Sequence, residues 1–179
     1  MLNDQMPSTP SVTKQSVQFS DRPWIGKDFG AKRILVLGES WYGDWGASYN
    51  SDSSYVAGYL AGELRDLMYT KMANACGMSR QTYWDSILFT NFVTWAGTHR
   101  TDRPTKSMYE AAIPRLERLL QEHAPKGVWI LGKEQSEFSA PVIRHAGIAC
   151  EVSLHPTSYG LRNQLLSESW QRLQAQLSP

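Results

Sequence analysis

Three polar groups in this chain stand where α/β proteins do chemistry. Glu39 follows Gly38 at the end of the apolar run Ile34-Leu35-Val36-Leu37, with Ser40, Trp41 and Tyr42 next. Asn91 interrupts the β-branched and aromatic run Ile87 to Val93. His155-Pro156-Thr157-Ser158 comes directly after the run from Ile148 through Leu154. A carboxylate and an imidazole together offer acid–base and electrostatic catalysis. A buried asparagine amide must find partners in the protein or in a ligand. Trp41 and Tyr42 add flat apolar surface beside the carboxylate. For each group the plain alternative is structural: Glu39 as a helix cap, Asn91 as a tie between loops, His155 as a satisfied imidazole. Their joint placement is what points to a site.

The elements that must position these groups follow from the apolar pattern. A short apolar run without alternation reads as a strand buried on both faces, the habit of parallel sheets. Four such runs occur, at about Arg33–Leu37, Ile87–Val93, Gly127–Leu131 and Ile148–Leu154. Between them lie helical patterns: Ser54 to Gly77, Thr105 to His123, and Lys133 to His145, where Pro141 is expected to break or kink the helix. A last helix is read at Leu161 to Leu177. Gly58 and Gly62 weaken the first helix, each by about 1 kcal/mol relative to alanine. The order β-α-β-α-β-α-β-α predicts an α/β fold. The expectation is a three-layer α/β/α sandwich with a mainly parallel, about four-stranded central sheet. In such sheets ligands bind beyond the carboxyl ends of the strands. Gly38 would allow a sharp turn and close approach of a ligand to the backbone. If the strands are parallel, Glu39, Asn91 and His155 converge on one edge.

Residues 1–20, rich in Ser, Thr, Pro and Gln, read as a flexible tail, and 21–179 as one domain. Asp21 to Gly30 reads as an ordered lead-in anchored by Trp24 and Phe29. Residues 43–54 form a glycine- and serine-rich loop long enough to suggest function. The chain has 179 residues, 41% hydrophobic and 20% charged, an ordinary globular balance. No apolar run approaches the roughly 20 residues of a membrane span. The N-terminus does not read as a secretory signal, so a cytoplasmic protein is expected. The two cysteines, Cys76 and Cys150, form no C-x-x-C pair, which argues against a thiolate-bound zinc or iron–sulfur site. No metal or other cofactor is expected. The net charge of +1 neither favours nor excludes nucleic acid, because a local basic strip suffices to hold phosphates. The loop 97–106 carries His99, Arg100, Arg103 and Lys106. Seven tryptophans and eight tyrosines are many for this length; most should lie in the core, and an excess of aromatics also suits a site that stacks flat ligands.

Taken together, these segments resemble the uracil-DNA glycosylase superfamily. Gly38-Glu39-Ser40-Trp41-Tyr42 is similar to its first motif, G-Q-D-P-Y in one branch and G-E-A-P-G in another. Asn91 resembles the base-reading asparagine. His99-Arg100-Thr101-Asp102-Arg103-Pro104 through Glu110 resembles the N-R-T-P…E segment of the thermophilic branch, Gly127 to Gly132 the strand that follows it, and His155-Pro156-Thr157-Ser158 the H-P-S motif. Trp41 replaces the motif's proline, Ser40 stands where one branch has its catalytic aspartate, and the thermophilic branch's four cluster-binding cysteines are absent.

The resemblance implies a monofunctional DNA glycosylase of base-excision repair. Such an enzyme hydrolyses the N-glycosidic bond of uracil, or of a related damaged or modified base, flipped out of DNA. Glu39 would stabilise the oxocarbenium-like sugar or activate water, and His155 would donate to the departing pyrimidine's O2. Asn91 would read the base's pairing edge, with Tyr49, Tyr55 or Trp45 as its stacking platform and Tyr42 as a pocket wall. Arg100, Arg103, Lys106, Thr157 and Ser158 would hold phosphates, and Tyr159 or Leu161 would fill the vacated stack. The partner is then single- or double-stranded DNA, with no membrane, and a monomer is expected. Two further readings stay open. One is a hydrolase using Ser40 and His155, although G-E-S-W-Y lacks the second glycine of a nucleophile elbow. The other is a non-catalytic nucleic-acid-binding module on the same fold.

Overall fold

A computed structural model describes residues 20–42, 49–97, 102–158 and 163–178. All four expected strands are present: β2 (Ile34–Gly38), β4 (Ile87–Asn91), β6 (Gly127–Leu131) and β7 (Ala149–Ser153). A fifth strand, β1 (Trp24–Ile25), joins them, and the order across the sheet is β1-β4-β2-β6-β7. The β4–β2, β2–β6 and β6–β7 pairings are parallel, and β1 runs antiparallel to β4. The expected four-stranded sheet is therefore corrected to a mixed, five-stranded one. Two residues are too few to show periodicity. What docks β1 is non-local: Trp24 Nε1 donates to the Trp84 carbonyl at 2.7 Å, and Gly26 lies against the Trp84 and Asp85 backbone. The two-residue strands β3 (Trp41–Tyr42) and β5 (Ala96–Gly97) form a separate parallel pair.

Every residue of β2, β4 and β6 is buried, and successive side chains enter opposite cores. Ile34, Val36, Phe89 and Trp129 face α2 (Asp52–Ala61), α3 (Leu67–Ala75), α4 (Arg80–Ser86) and α7 (Asn163–Leu177). Leu35, Leu37, Leu88 and Ile130 face α1 (Phe29–Lys32), α5 (Lys106–His123) and α6 (Lys133–His145). Helices thus cover both faces, which is why these strands lack the polar alternation of a half-exposed sheet.

The single helix expected at 54–77 is two helices, α2 and α3, and a third, α4, follows. Gly62 ends α2 in the left-handed region (φ 82°), and Asp66 then caps α3 by accepting from the Tyr69 N–H. Gly77, also left-handed, precedes Ser79, the cap of α4. Capping groups thus outweigh a continuous apolar stripe. The start of α2 also shortens the expected loop 43–54. Ser51 and Ser54 form a reciprocal capping box, which places Asp52 in the first turn of the helix. Gly58 stays inside α2 because the Tyr49 ring lies on it; a Cβ there would sit 2.4 Å from that ring. Pro141 does not end α6. It removes one backbone hydrogen bond, while the neighbouring Ala140 and Ile143 remain packed in the core. Among the described residues, no helix is long and apolar enough to cross a membrane.

Candidate active site

The carboxyl edge of the sheet opens into a cleft of about 890 Å³. Ser40 and Trp41 after β2, Phe89 and Asn91 on β4, and His155 after β7 bring the strand ends together there. Tyr55 of α2 and the α2–α3 connection with the first residues of α3 form the facing wall. Trp41 stands edge-on to Tyr55 with ring centroids 4.7 Å apart, and Tyr69 stands edge-on to Phe89 at 5.3 Å. The wall is fixed from behind: Tyr55 Oη donates to Asp66 Oδ2 at 2.9 Å, the same carboxylate that caps α3. Burial and Asp66 raise the Tyr55 phenol, so it remains a donor at any ordinary pH.

Asn91 is held by a residue that sequence reading had left in a loop. Its carboxamide Nδ2 donates to Asp52 Oδ1 at 2.8 Å, and its backbone N–H donates to Asp52 Oδ2 at 3.1 Å. Thr90 Oγ1 donates to the same Oδ2 at 2.7 Å. Behind them Arg115 of α5 donates to Thr90 Oγ1 and to the Asn91 carbonyl, and pairs with Asp21. Gly38 completes the fit: a Cβ there would lie 2.4 Å from Asn91 Oδ1. The close approach expected at Gly38 is thus made by the Asn91 side chain. Gly38→Ala is expected to displace that amide. The expected stability loss is about 1–3 kcal/mol, checked by urea unfolding.

Burial lifts the Asp52 carboxyl from 3.8 to about 6, against the opposing pull of Thr90, Asn91 and Arg115. A carboxyl raised on folding stabilises the fold fully below 3.8, and that contribution is lost as pH rises through about 6. The stability of the wild type minus that of Asp52→Asn should therefore rise by on the order of 2–3 kcal/mol between pH 7.5 and 4. The lowered His155 works in the opposite sense over part of that range and cancels in the difference. A difference independent of pH, measured by urea unfolding, would show that Asp52 ionises as freely as in the unfolded chain.

His155 follows β7 in a tight turn closed by Ser158 N–H to the His155 carbonyl, 2.8 Å. Lys71 Nζ reaches the Pro156 carbonyl at 3.1 Å and ties the turn to α3. His155 Nδ1 accepts from the Thr157 backbone N–H at 3.4 Å and lies 2.8 Å from Thr157 Oγ1. The Thr157 N–H contact favours the neutral tautomer with its proton on Nε2, while the Thr157 hydroxyl fits either tautomer. Burial is the main cause that lowers the His155 pKa; Glu39 pulls it up and Arg103 adds to the lowering.

Glu39 is only 2% exposed and points toward α5. Tyr109 Oη donates to its Oε1 at 2.7 Å, and Arg103 pairs with its Oε2. The Tyr109 ring is itself stacked between Phe92 and Phe138. Arg103, held just ahead of the Thr105 cap of α5, lines the cleft and is half exposed. Glu39 thus lies behind the cleft lining, bonded to Arg103.

Of the residues expected at the site, the cleft gathers Asn91, His155, Tyr55, Arg103, Thr157 and Ser158, with Glu39 behind them. Tyr49 does not line it: its hydroxyl bonds Glu63 and its ring backs Tyr55 and Gly58. Lys106 lies in the first turn of α5 and pairs with Glu110, also off the cleft. Tyr42 pairs through its backbone with Gly97. Arg100, Tyr159, Trp45 and Leu161 lie outside the described residues. Sequence reading missed Asp52, Arg115, Tyr109 and the rim formed by Arg65 and Leu67. The signals existed in part: Ser51-Asp52-Ser53-Ser54 is a helix start, and Arg115 shares the buried stripe of α5 with Ala112 and Leu116. Leu67, 80% exposed at the cleft mouth, is a large apolar group left in solvent.

Ser40 Oγ is buried in the cleft and, among the described residues, hydrogen-bonds nothing, His155 included. A second cavity, of about 940 Å³, lies at the opposite edge of the sheet, between the C-terminal ends of α5 and α6. Its floor is Leu120, Val142 and Ile148, and none of the site's acid–base groups reach it. Among the described residues no group of three or more His, Cys, Asp or Glu side chains is arranged to hold a metal ion. No protein-family model matches the sequence, and no curated protein matches it either.

Proposed function

We propose that the chain is a monofunctional DNA glycosylase on a three-layer sandwich of the uracil-DNA glycosylase type, acting as a monomer. It hydrolyses the N-glycosidic bond of uracil or a related base flipped into the cleft. One observation carries the reading: an asparagine amide held by Asp52 and a histidine whose pKa burial lowers share one aromatic-walled cleft. A flat heterocycle needs an edge reader and apolar faces, and its departure as an anion needs a donor.

The flipped base enters between the aromatic walls, where Asn91 bonds its pairing edge. His155 Nε2–H faces the carbonyl oxygen on which negative charge grows as the bond breaks. The negative charge of Glu39 stabilises the cation left on the sugar and orients the attacking water. Arg103, Thr157 and Ser158 hold the flanking phosphates, and Arg65 adds positive charge at the same rim. Leu67 stands ready to fill the gap in the stack.

The Ser40 hydrolase reading is less well supported, because an activated serine needs its base within hydrogen-bond reach. Ser40 Oγ lines the cleft without that contact.

The deciding experiment uses end-labelled oligonucleotides carrying uracil, hypoxanthine, 5-hydroxymethyluracil or a modified cytosine, single- and double-stranded, with alkali to reveal abasic sites. Cleavage at one base establishes the activity and names the substrate. DNA binding without cleavage, retained in Glu39→Ala, favours a binding module. Neither binding nor cleavage, with a fluorophosphonate labelling Ser40, favours the hydrolase.

A further inference from the structure

Asn91 can be read as a two-faced group. Turned one way, a carboxamide presents an acceptor where, turned over, it presents a donor. Which way it is turned decides which base edge it fits. Asp52 removes the choice. Its Oδ2 already accepts from Thr90 Oγ1 and the Asn91 backbone N–H, and its Oδ1 lies 2.8 Å from Asn91 Nδ2. An ionised carboxylate only accepts, so turning the amide over would set two oxygens against each other where both residues are only 4% exposed. Arg115 donates to the Thr90 oxygen, and the Thr90 hydroxyl proton finds Asp52 Oδ2 at 2.7 Å, far nearer than its other acceptor, the Asn91 carbonyl at 3.4 Å. Among the described residues Asn91 Oδ1 accepts no hydrogen bond, and the second Nδ2 proton is also unused.

We infer that Asp52 is a specificity-determining positioning residue. It locks the Asn91 amide so that the cleft selects bases whose edge sets a ring N–H beside a carbonyl, and rejects those that set a bare ring nitrogen beside an amino group. The inference rests on the reading that the cleft holds a flipped base. It narrows the substrates to the lactam and imide class, which holds uracil, its 5-substituted relatives and hypoxanthine, and it sets aside cytosine-type bases.

Asp52→Asn tests it. The new amide must keep its oxygen toward Thr90 and the Asn91 backbone N–H. Its NH2 group then faces Asn91, which can bond it only by turning over. Affinity is measured by fluorescence anisotropy on oligonucleotides carrying 2′-fluoro-2′-deoxyuridine or 2′-fluoro-2′-deoxycytidine, which resist cleavage. Single-turnover release is measured on the ordinary nucleotides. The wild type should prefer the uracil edge, and Asp52→Asn should reduce that preference by about 10- to 100-fold, the worth of one bidentate base contact. A preference unchanged in Asp52→Asn overturns the inference while leaving the glycosylase reading intact. A wild type that neither binds nor releases either base overturns the reading, and the inference with it. Should Asp52→Asn not fold, the side-chain amide pair of Asn91 in the wild type decides by NMR. One proton slow to exchange and shifted downfield supports the lock, and an averaged, freely exchanging pair overturns it.

Discussion

Glu39→Gln is expected to slow base release by about 10²- to 10⁴-fold while leaving the affinity for uncleaved DNA unchanged. The carboxylate is buried behind the cleft lining, where its field on a positive charge developing in the cleft would be poorly screened by water. Glutamine keeps the shape and one acceptor oxygen for Tyr109 but removes the charge. The same carboxylate also pairs with Arg103, so a loss of rate alone does not separate chemistry from architecture. Arg103→Gln supplies the comparison, because it breaks the pair and leaves the charge on Glu39. If Glu39 serves only to anchor Arg103, the two variants should lose rate equally. If its charge acts on the sugar cation, Glu39→Gln should be slower by at least an order of magnitude in single-turnover release. Stability is measured alongside, since Arg103→Gln leaves the buried Glu39 carboxylate without its half-exposed partner, which lowers the folded fraction if the loss is large.

The strands were legible because burial on both faces leaves an unbroken apolar run, as in Leu35 to Leu37, and a run ends where the chain meets the sheet edge. That sufficed to align Glu39, Asn91 and His155, since parallel strands send their C-terminal residues to one edge. What the sequence did not show is how each group is held. Asp52 reaches Asn91 across 39 positions of chain, and Tyr109 reaches Glu39 across 70. A hydrogen bond between distant residues leaves no periodicity behind. The division of residues 54–77 into helices failed for a different reason. A stripe of Tyr55, Tyr59, Leu64 and Met68 at helical spacing is compatible with one helix or two, and the left-handed Gly62 and the Asp66 cap decide between them. Tyr49 shows the converse error: an aromatic in a loop near the site was read as a platform, whereas it packs on Gly58 behind the wall.

His155→Ala should lower the rate of base release by about 10²- to 10³-fold, the cost of removing one donor aimed at a developing anion, with little change in DNA affinity. Neutrality is what makes the donor useful over a broad pH range. Burial keeps the ring uncharged above its lowered pKa, and the Thr157 N–H on Nδ1 favours the tautomer with its proton on Nε2. Acid reverses this. A proton added to Nδ1 is set against the Thr157 N–H and is taken by the Thr157 hydroxyl oxygen, 2.8 Å away, which shifts the ring from its seat. The rate should therefore be flat above pH 6.5 and fall at lower pH. His155→Gln offers an amide donor that does not titrate, and should recover part of the rate with no acid limb from position 155. Asp52, at about 6, titrates nearby and acts through Asn91. The Asp52→Asn background separates the two, because a limb that persists there and vanishes in His155→Gln belongs to the imidazole. A His155→Ala protein within tenfold of the wild-type rate would remove the imidazole from the chemistry and leave the turn as a structural brace for α3.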